Sequence, residues 1–153
     1  MTDVLTPAQR RFNMSRIRGG NTKPEMLVRR ALHARGLRFR LHRPDLPGRP
    51  DLTFPGHRAV IFIHGCFWHG HQCALCKTPA TRTEFWVTKI SKNRARDQLT
   101  VRRLRQDGWR VMTIWECALR GHGKIERDHL YELAARFVLS GSAPLLQVAG
   151  RQN

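Results

Sequence analysis

The sequence predicts an α/β or α+β domain built on a mixed β-sheet with helices on its faces. Three observations carry that expectation. Apolar periodicity gives the order helix, three strands, helix, strand, helix. Residues 59–63 are continuously apolar, as a strand covered on both faces is. Strands joined through helices favour some parallel pairing, and a length of 153 residues fits one such domain around one core.

Taken in order, residues 1–21 carry Arg10, Arg11, Arg16, Arg18 and the Gly19-Gly20 pair with little apolar periodicity, and read as a basic arm. Thr22-Lys-Pro-Glu25 opens a helix: Thr22 caps it, Pro24 suits an early helical position, and Glu25 stands where a capping box needs an acid. Leu27, Val28, Ala31 and Leu32 form its inward stripe, Gly36 ends it, and residues 37–41 read as a first strand. Two prolines and a glycine in residues 46–51 force a turn, so Asp51 starts the strand 51–54. After the Pro55-Gly56 break comes the apolar strand, and a loop dense in Cys, His and aromatic residues begins where it ends. Residues 83–106 read as a helix stopped by Gly108. At 100° per residue Trp86, Ile90, Asn93, Asp97, Val101 and Leu104 share one sector, so two polar residues interrupt the apolar face. Residues 109–115 form a strand that delivers Cys117 just past its end, and residues 125–139 a last amphipathic helix. The main domain is thus 22–140, with 141–153 left as a tail without strong signal.

Charge narrows the partners. With 28 Lys plus Arg against 11 Asp plus Glu, the net charge of +17 calls for a polyanion, nucleic acid first. No apolar run approaches the roughly 20 residues of a membrane span and no signal-peptide pattern opens the chain, so a cytosolic protein is expected. In that reducing compartment four cysteines clustered with histidines point to metal rather than disulfides.

The stretch from His64 to Cys73 concentrates the chemistry. Cys66, His69, His71, Cys73, Cys76 and Cys117 are all candidates for a tetrahedral zinc site, which takes four ligands, so some have another task. Core thiols and surface histidines are the plain alternative. Asp51 and Glu25 are acids in a chain that otherwise attracts anions; Asp51 suits a Mg²⁺ ligand, against a turn-stabilising role, and Glu25 is otherwise the capping-box acid. His64 and His69 suit the proton transfers of phosphodiester hydrolysis. Phe67, Trp68, Phe85 and Trp86 suit stacking on bases or wedging between them. Phe85 and one tryptophan are expected in the core, and one ring of the Phe67-Trp68 pair outside.

The runs LPGRPD at 46–51, IFIHGCFWHGHQC at 61–73, PATRTEFW at 79–86, KNRARD at 92–97 and GWRVMTIWECALRG at 108–121 together closely resemble the very short patch repair DNA endonucleases. Those bacterial enzymes nick duplex DNA beside T:G mismatches left by deamination of 5-methylcytosine. The resemblance covers residues 13–121 and implies a restriction-endonuclease-like fold, a mixed central sheet flanked by helices, with a structural zinc site. It implies Asp51 as the carboxylate ligand of catalytic Mg²⁺, with the Ile63 backbone carbonyl as a further ligand. His69 is then the general base, supported by Glu25, His64 and Asp97, and Zn²⁺ is bound by Cys66, His71, Cys73 and Cys117. Phe67, Trp68 and Trp86 become the wedge, Lys89 and Asn93 face the mispaired bases, and the arm with Met14 approaches the opposite groove.

Two departures stand out. Where related restriction-like nucleases place a second acid and a lysine, this chain has Ile63 and Gly65, which passes the base role to His69. Cys76, spaced C-x-x-C from Cys73, lies outside the implied zinc set. The expected partner is double-stranded DNA with a T:G mismatch, with mismatch-repair helper proteins, no membrane contact, a monomeric state and a nucleoid-associated cytoplasmic location. The competing expectations are a zinc-stabilised module that binds distorted DNA and recruits a nuclease, and an RNA-binding zinc protein.

Overall fold

The computed structural model describes residues 21–151. Three helices and five strands follow one another as α1 (Lys23–Ala34), β1 (Arg40–Leu41), β2 (Leu52–Phe54), β3 (Ala59–His64), α2 (Thr83–Gln106), β4 (Arg110–Trp115), α3 (Arg127–Leu139) and β5 (Leu145–Val148). They build a mixed sheet in the order β1-β2-β3-β4-β5. The first three strands pair antiparallel, while β3, β4 and β5 pair parallel through the helical crossovers that parallel pairing requires. Among the described residues no helix is long and apolar enough to cross a membrane.

The period of two along a strand decides which helix covers which face. Ala59, Ile61 and Ile63 of β3, with Met112 and Ile114 of β4, pack into the main core with Val28 and Leu32 of α1 and the apolar stripe of α3. Val60 and Phe62 turn the other way, with Val111, Leu104 and Trp109, against the C-terminal part of α2. His64 continues that second face, so the strand that is apolar for five residues ends by placing an imidazole under α2. Leu104 is the one residue of α2 that is fully buried, and the N-terminal half of the helix projects past the core. Its polar Asn93 and Asp97 are therefore left facing the loop that follows β3 rather than a hydrophobic layer.

Local chemistry sets the boundaries. Thr22 caps α1 by accepting from the Glu25 amide at 3.4 Å, but the Glu25 carboxylate reaches the Asn21 amide at 3.2 Å instead of closing a capping box on Thr22. Gly48 (φ +74°) lets the turn before Asp51 lie against α2, where a Cβ would stand 2.3 Å from the Thr100 side chain. The first strand is shorter than the 37–41 expected from sequence. Pro50 and Pro55 bracket a β2 of three residues, so only Arg40 and Leu41 find pairing partners, and Leu37 is buried in the core instead.

The tail expected over 141–153 is corrected by the sheet itself. Leu145–Val148 forms β5, pairing with Val111–Ile114 as an edge strand. An edge strand of four residues with one buried side chain leaves almost no periodic signal. The domain therefore runs through Val148, past the boundary drawn at residue 140. The basic arm and Met14 lie outside the described residues.

Arg110 locks α3 to the sheet. Its guanidinium donates to the carbonyls of Phe137 (2.6 Å), Val138 (3.1 Å) and His57 (3.2 Å) and lies 4.8 Å from the Phe137 ring. The first two are C-terminal carbonyls that α3 leaves unpaired. Arg110→Ala is expected to cost about 2 kcal/mol of stability, read as a lower denaturation midpoint in urea; an unchanged midpoint would show that water satisfies those carbonyls equally well.

Candidate active site and metal centre

Among the described residues, three groups of potential metal donors lie near the C-terminal end of β3: Glu25, His42 and Asp51; His64, His69 and Asp97; and Cys66, His71, Cys73 and Cys117. Within each group the donor atoms are within 4.8 Å of one another. Antiparallel pairing sets the N-terminus of β2 beside the end of β3, and the Ile63 amide donates to Asp51 Oδ2 at 2.7 Å. Asp51 is 8% exposed and Glu25 1%, so two carboxylates are buried side by side in a strongly cationic chain. Burial holds the Asp51 carboxyl well above the usual carboxylate range; the Ile63 amide pulls against it and the neighbouring Glu25 adds to it.

A cavity of about 690 Å³ opens onto this pair, lined among others by Glu25, Asp51, Ile63, Trp68, His69 and Lys89. His69 thus faces the space that Asp51 faces. Its Nδ1 is 2.6 Å from Asp97 Oδ2, which fixes the ring and directs Nε2 away from α2. His64 stacks on His69 with centroids 3.7 Å apart and planes 5° apart. Burial, with His69 adding and Asp97 opposing, pushes the His64 imidazole down to about 3, so it stays neutral, and its buried Nδ1 has no hydrogen-bond partner. Gly70 (φ +65°) lets this loop pass against α2, where a Cβ would stand 2.6 Å from Ile90 and Arg94.

Beyond His69 the loop carries the sulfur centre. The Cys117 amide points at Cys66 Sγ (3.4 Å) and the Gly150 amide at Cys117 Sγ (3.2 Å), while His71 Nδ1 lies 3.6 Å from Cys117 Sγ. The His71 ring stacks on Trp115 at 4.3 Å. Three thiols and one imidazole converging this closely match what a tetrahedral zinc site takes, and the amides aimed at sulfur are the partners thiolates accept. Burial raises the Cys66 and Cys117 thiols and lowers His71. Cys76 packs beside the cluster without joining its four donors.

The aromatic residues form a contiguous group, of which Phe67 and Trp68 line the cavity. Ring centroids are 5.2 Å apart for Phe67 and Trp68, 5.4 Å for Phe67 and Trp86, and 5.7 Å for Trp68 and Trp86. Phe85 was expected in the core and is 42% exposed, with the Arg82 guanidinium 4.2 Å from its ring centroid. Trp68 and Trp86 are half-buried, and the buried tryptophans are Trp109 and Trp115. The cause is that the N-terminal half of α2 meets the loop after β3 rather than the sheet. Asn93 donates to the Trp68 carbonyl at 2.9 Å, and Lys89 Nζ lies 5.8 Å from the Trp68 ring centroid.

Comparison with known proteins bears directly on this arrangement. Residues 2–75 match the family model described as DNA mismatch endonuclease Vsr. The chain is 52% identical over 126 residues to the type II nicking enzyme V.XorIIP of Xanthomonas oryzae pv. oryzae, covering 82% of this chain and 93% of that one. It is 46% identical to the DNA mismatch endonuclease Vsr of Escherichia coli, covering 94% of this chain and 92% of that one. With the type II nicking enzyme V.NmeAIP of Neisseria meningitidis it shares 42% identity over 87% of this chain and 94% of that one.

The chain belongs to the Vsr family of DNA mismatch endonucleases. Glu25, Asp51, Phe67, Trp68 and His69 line one cavity, and Asp97 reaches it through His69. Family membership does not single out His42, which the sequence reading missed. His42 Nε2 is 2.9 Å from both oxygens of Glu25 and 3.8 Å from Asp51 Oδ1. Its backbone has a positive φ of 46°, and no local pattern marks the residue; only the β1–β2 pairing brings it to the two acids.

Proposed function

We propose that this Vsr-family chain is a strand-nicking DNA endonuclease that hydrolyses one phosphodiester of duplex DNA beside a T:G mismatch. The observation that carries the reading is the shared cavity of Asp51 and His69. Relatives named as a DNA mismatch endonuclease and as nicking enzymes supply the reaction class.

Asp51 and the Ile63 carbonyl are the residues we assign to Mg²⁺. Asp51 fits that role because Oδ2 is held by the Ile63 amide while Oδ1 points toward Glu25 and His42, leaving hard oxygen donors on one side. A divalent ion bound there supplies positive charge to the phosphoryl oxygens under attack. His69 takes the proton from the attacking water through Nε2, and the Asp97 carboxylate, bonded to Nδ1, holds the ring and stabilises the imidazolium that forms. His64 supports His69 as a neutral stacking partner. Ile63 and Gly65, standing where a second acid and a lysine serve other restriction-like nucleases, offer no side-chain base, which leaves His69 that task.

Cys66, His71, Cys73 and Cys117 are assigned to a structural Zn²⁺ that ties the loop after β3 to the end of β4. Phe67, Trp68 and Trp86 are assigned to the wedge at the mismatch, and Lys89 and Asn93 to the bases beside it. The arm with Met14 is assigned to the opposite groove. We take the protein to act as a monomer in the bacterial cytoplasm, at the nucleoid, with mismatch-repair helper proteins. A module that only binds distorted DNA has no use for a buried carboxylate pair beside an oriented histidine.

Purified protein incubated with a T:G duplex and Mg²⁺ is expected to give a single nick in one strand, and none with EDTA. His69→Ala is expected to slow that nicking by about 10² to 10⁴-fold while affinity for the duplex stays within a few-fold. Near-normal cleavage by His69→Ala would move the base role elsewhere.

A further inference from the structure

We propose that His42 is a positioning residue: it holds the Glu25 carboxylate beside Asp51 and thereby sets how tightly the acid pocket binds a divalent cation. The inference rests on the reading of that pocket as the metal site, and adds to it a residue that neither the family resemblance nor the sequence pattern selects.

A carboxylate as deeply buried as Glu25 needs donors on every side. Two of its donors come from the vicinity of its own helix, the Asn21 amide at 3.2 Å and Arg29 Nη1 at 3.1 Å, and Arg29 is held in turn by the Asn21 side chain at 2.7 Å. These draw the carboxylate toward the outer edge of α1. His42 is the partner that comes from outside that helix. Its Nε2 lies 2.9 Å from both Glu25 oxygens, where the tautomer protonated at Nε2 donates to them, and is the nitrogen that also approaches Asp51. The backbone prepares the placement: the His42 amide donates to the Asp51 carbonyl at 3.4 Å, and His42 adopts a left-handed φ of 46° that aims the ring back across β2. One residue thus reaches both acids and helps keep the two carboxyl groups within one ion's reach of each other. Without it Glu25 follows Arg29, and Asp51 is left as a single carboxylate in the pocket.

The effect belongs in metal affinity rather than in folding or DNA binding. Mn²⁺ serves as the spectroscopic stand-in. Titrated into the full-length protein and followed by the electron paramagnetic resonance of free Mn²⁺, its dissociation constant is expected to rise by about 10-fold or more in His42→Ala. The Mg²⁺ concentration for half-maximal nicking of a T:G duplex should rise in parallel, with the rate at saturating Mg²⁺ and the affinity for the duplex little changed. His42→Gln, whose amide can donate to Glu25, is expected to recover most of the lost affinity. His42→Leu, similar in bulk but without a donor, should behave as His42→Ala does, and stands in for it if truncation unsettles β1.

Equal Mn²⁺ affinity in the wild type and the two non-donor variants overturns the role of His42, as does a Gln variant as weak as Leu. Nitrogen coupling to bound Mn²⁺ from a directly coordinated imidazole that vanishes in His42→Leu would make His42 a ligand and also overturns it. Failure of the underlying reading looks different: Mn²⁺ binding that is absent in the wild type, or unaffected by Asp51→Asn, removes the metal pocket itself and His42's task with it.

Discussion

Replacing Asp51 by Asn is expected to reduce nicking by about 10³-fold or more while affinity for the mismatched duplex stays within a few-fold. The substitution keeps the size of the side chain and removes its charge, so the shape of β2 and of the cavity survives. On our assignment it removes the charged oxygen that would hold the divalent ion. The same change should stabilise the protein when no divalent ion is present. In the unfolded chain Asp51 ionises near the ordinary carboxylate value of about 3.9, whereas in the fold burial and Glu25 keep its proton on to much higher pH. Below the ordinary value both states are protonated and the group costs nothing. As pH rises from there through the elevated folded value, the unfolded chain is favoured, so stability falls. Asp51→Asn removes that dependence, and its melting temperature in EDTA should exceed the wild type's by a margin that grows from pH 4.5 to pH 8. A variant that is both inactive and less stable across that range would mean the carboxylate serves packing, and the assignment of the ion to this pocket would be wrong.

Cys117→Ser is the second large effect. The wild-type protein is expected to carry one tightly bound Zn²⁺ per chain and the variant none, with a loss of about 3 kcal/mol or more in stability, or about 10 °C in melting temperature. The expectation follows from where Cys117 sits. It lies beyond the end of β4, in contact with Cys66 and His71 from the loop after β3 and with the Gly150 amide beyond β5. Removing its sulfur unties three segments at once. Amide exchange should therefore rise first in the loop at 65–76 and in β5, while the main core under α1 and α3 stays protected. Cys76→Ser, by contrast, should keep its zinc, because Cys76 lies outside the four-donor group. A Cys117→Ser protein that retained one Zn²⁺ and melted normally would falsify the ligand set, and Cys76 would be the first residue to test in its place.

The parts of this molecule that were legible in the sequence are those whose signal is local. The apolar run at 59–63 announced a central strand, the Pro and Gly residues before Asp51 announced the turn that leads into β2, and the long periodic helix placed Asn93 and Asp97 on the face that meets the loop. Cys and His types crowded into ten residues announced the place where Cys66, His71 and Cys73 converge with Cys117. What stayed hidden depends on long-range pairing. His42 reaches Glu25 and Asp51 only because β1 lies against β2, and its left-handed backbone has no glycine to advertise it. β5 is a short edge strand whose partner supplies the reason for its conformation. Phe85 was misplaced for a related reason: an apolar residue on an amphipathic helix is core only where a layer lies opposite, and α2 outruns the sheet beneath its first turns.

The crossing of Cys117 with the loop after β3 also imposes a sequence of events on a chain emerging from a ribosome. Cys66, His71 and Cys73 are translated before α2, and their fourth partner follows only once that helix and β4 have been made. A nascent chain thus presents an incomplete chelate through the synthesis of the whole of α2. An ion held by these four donors would be fully enclosed only after the parallel strand that brings Cys117 has docked beside β3.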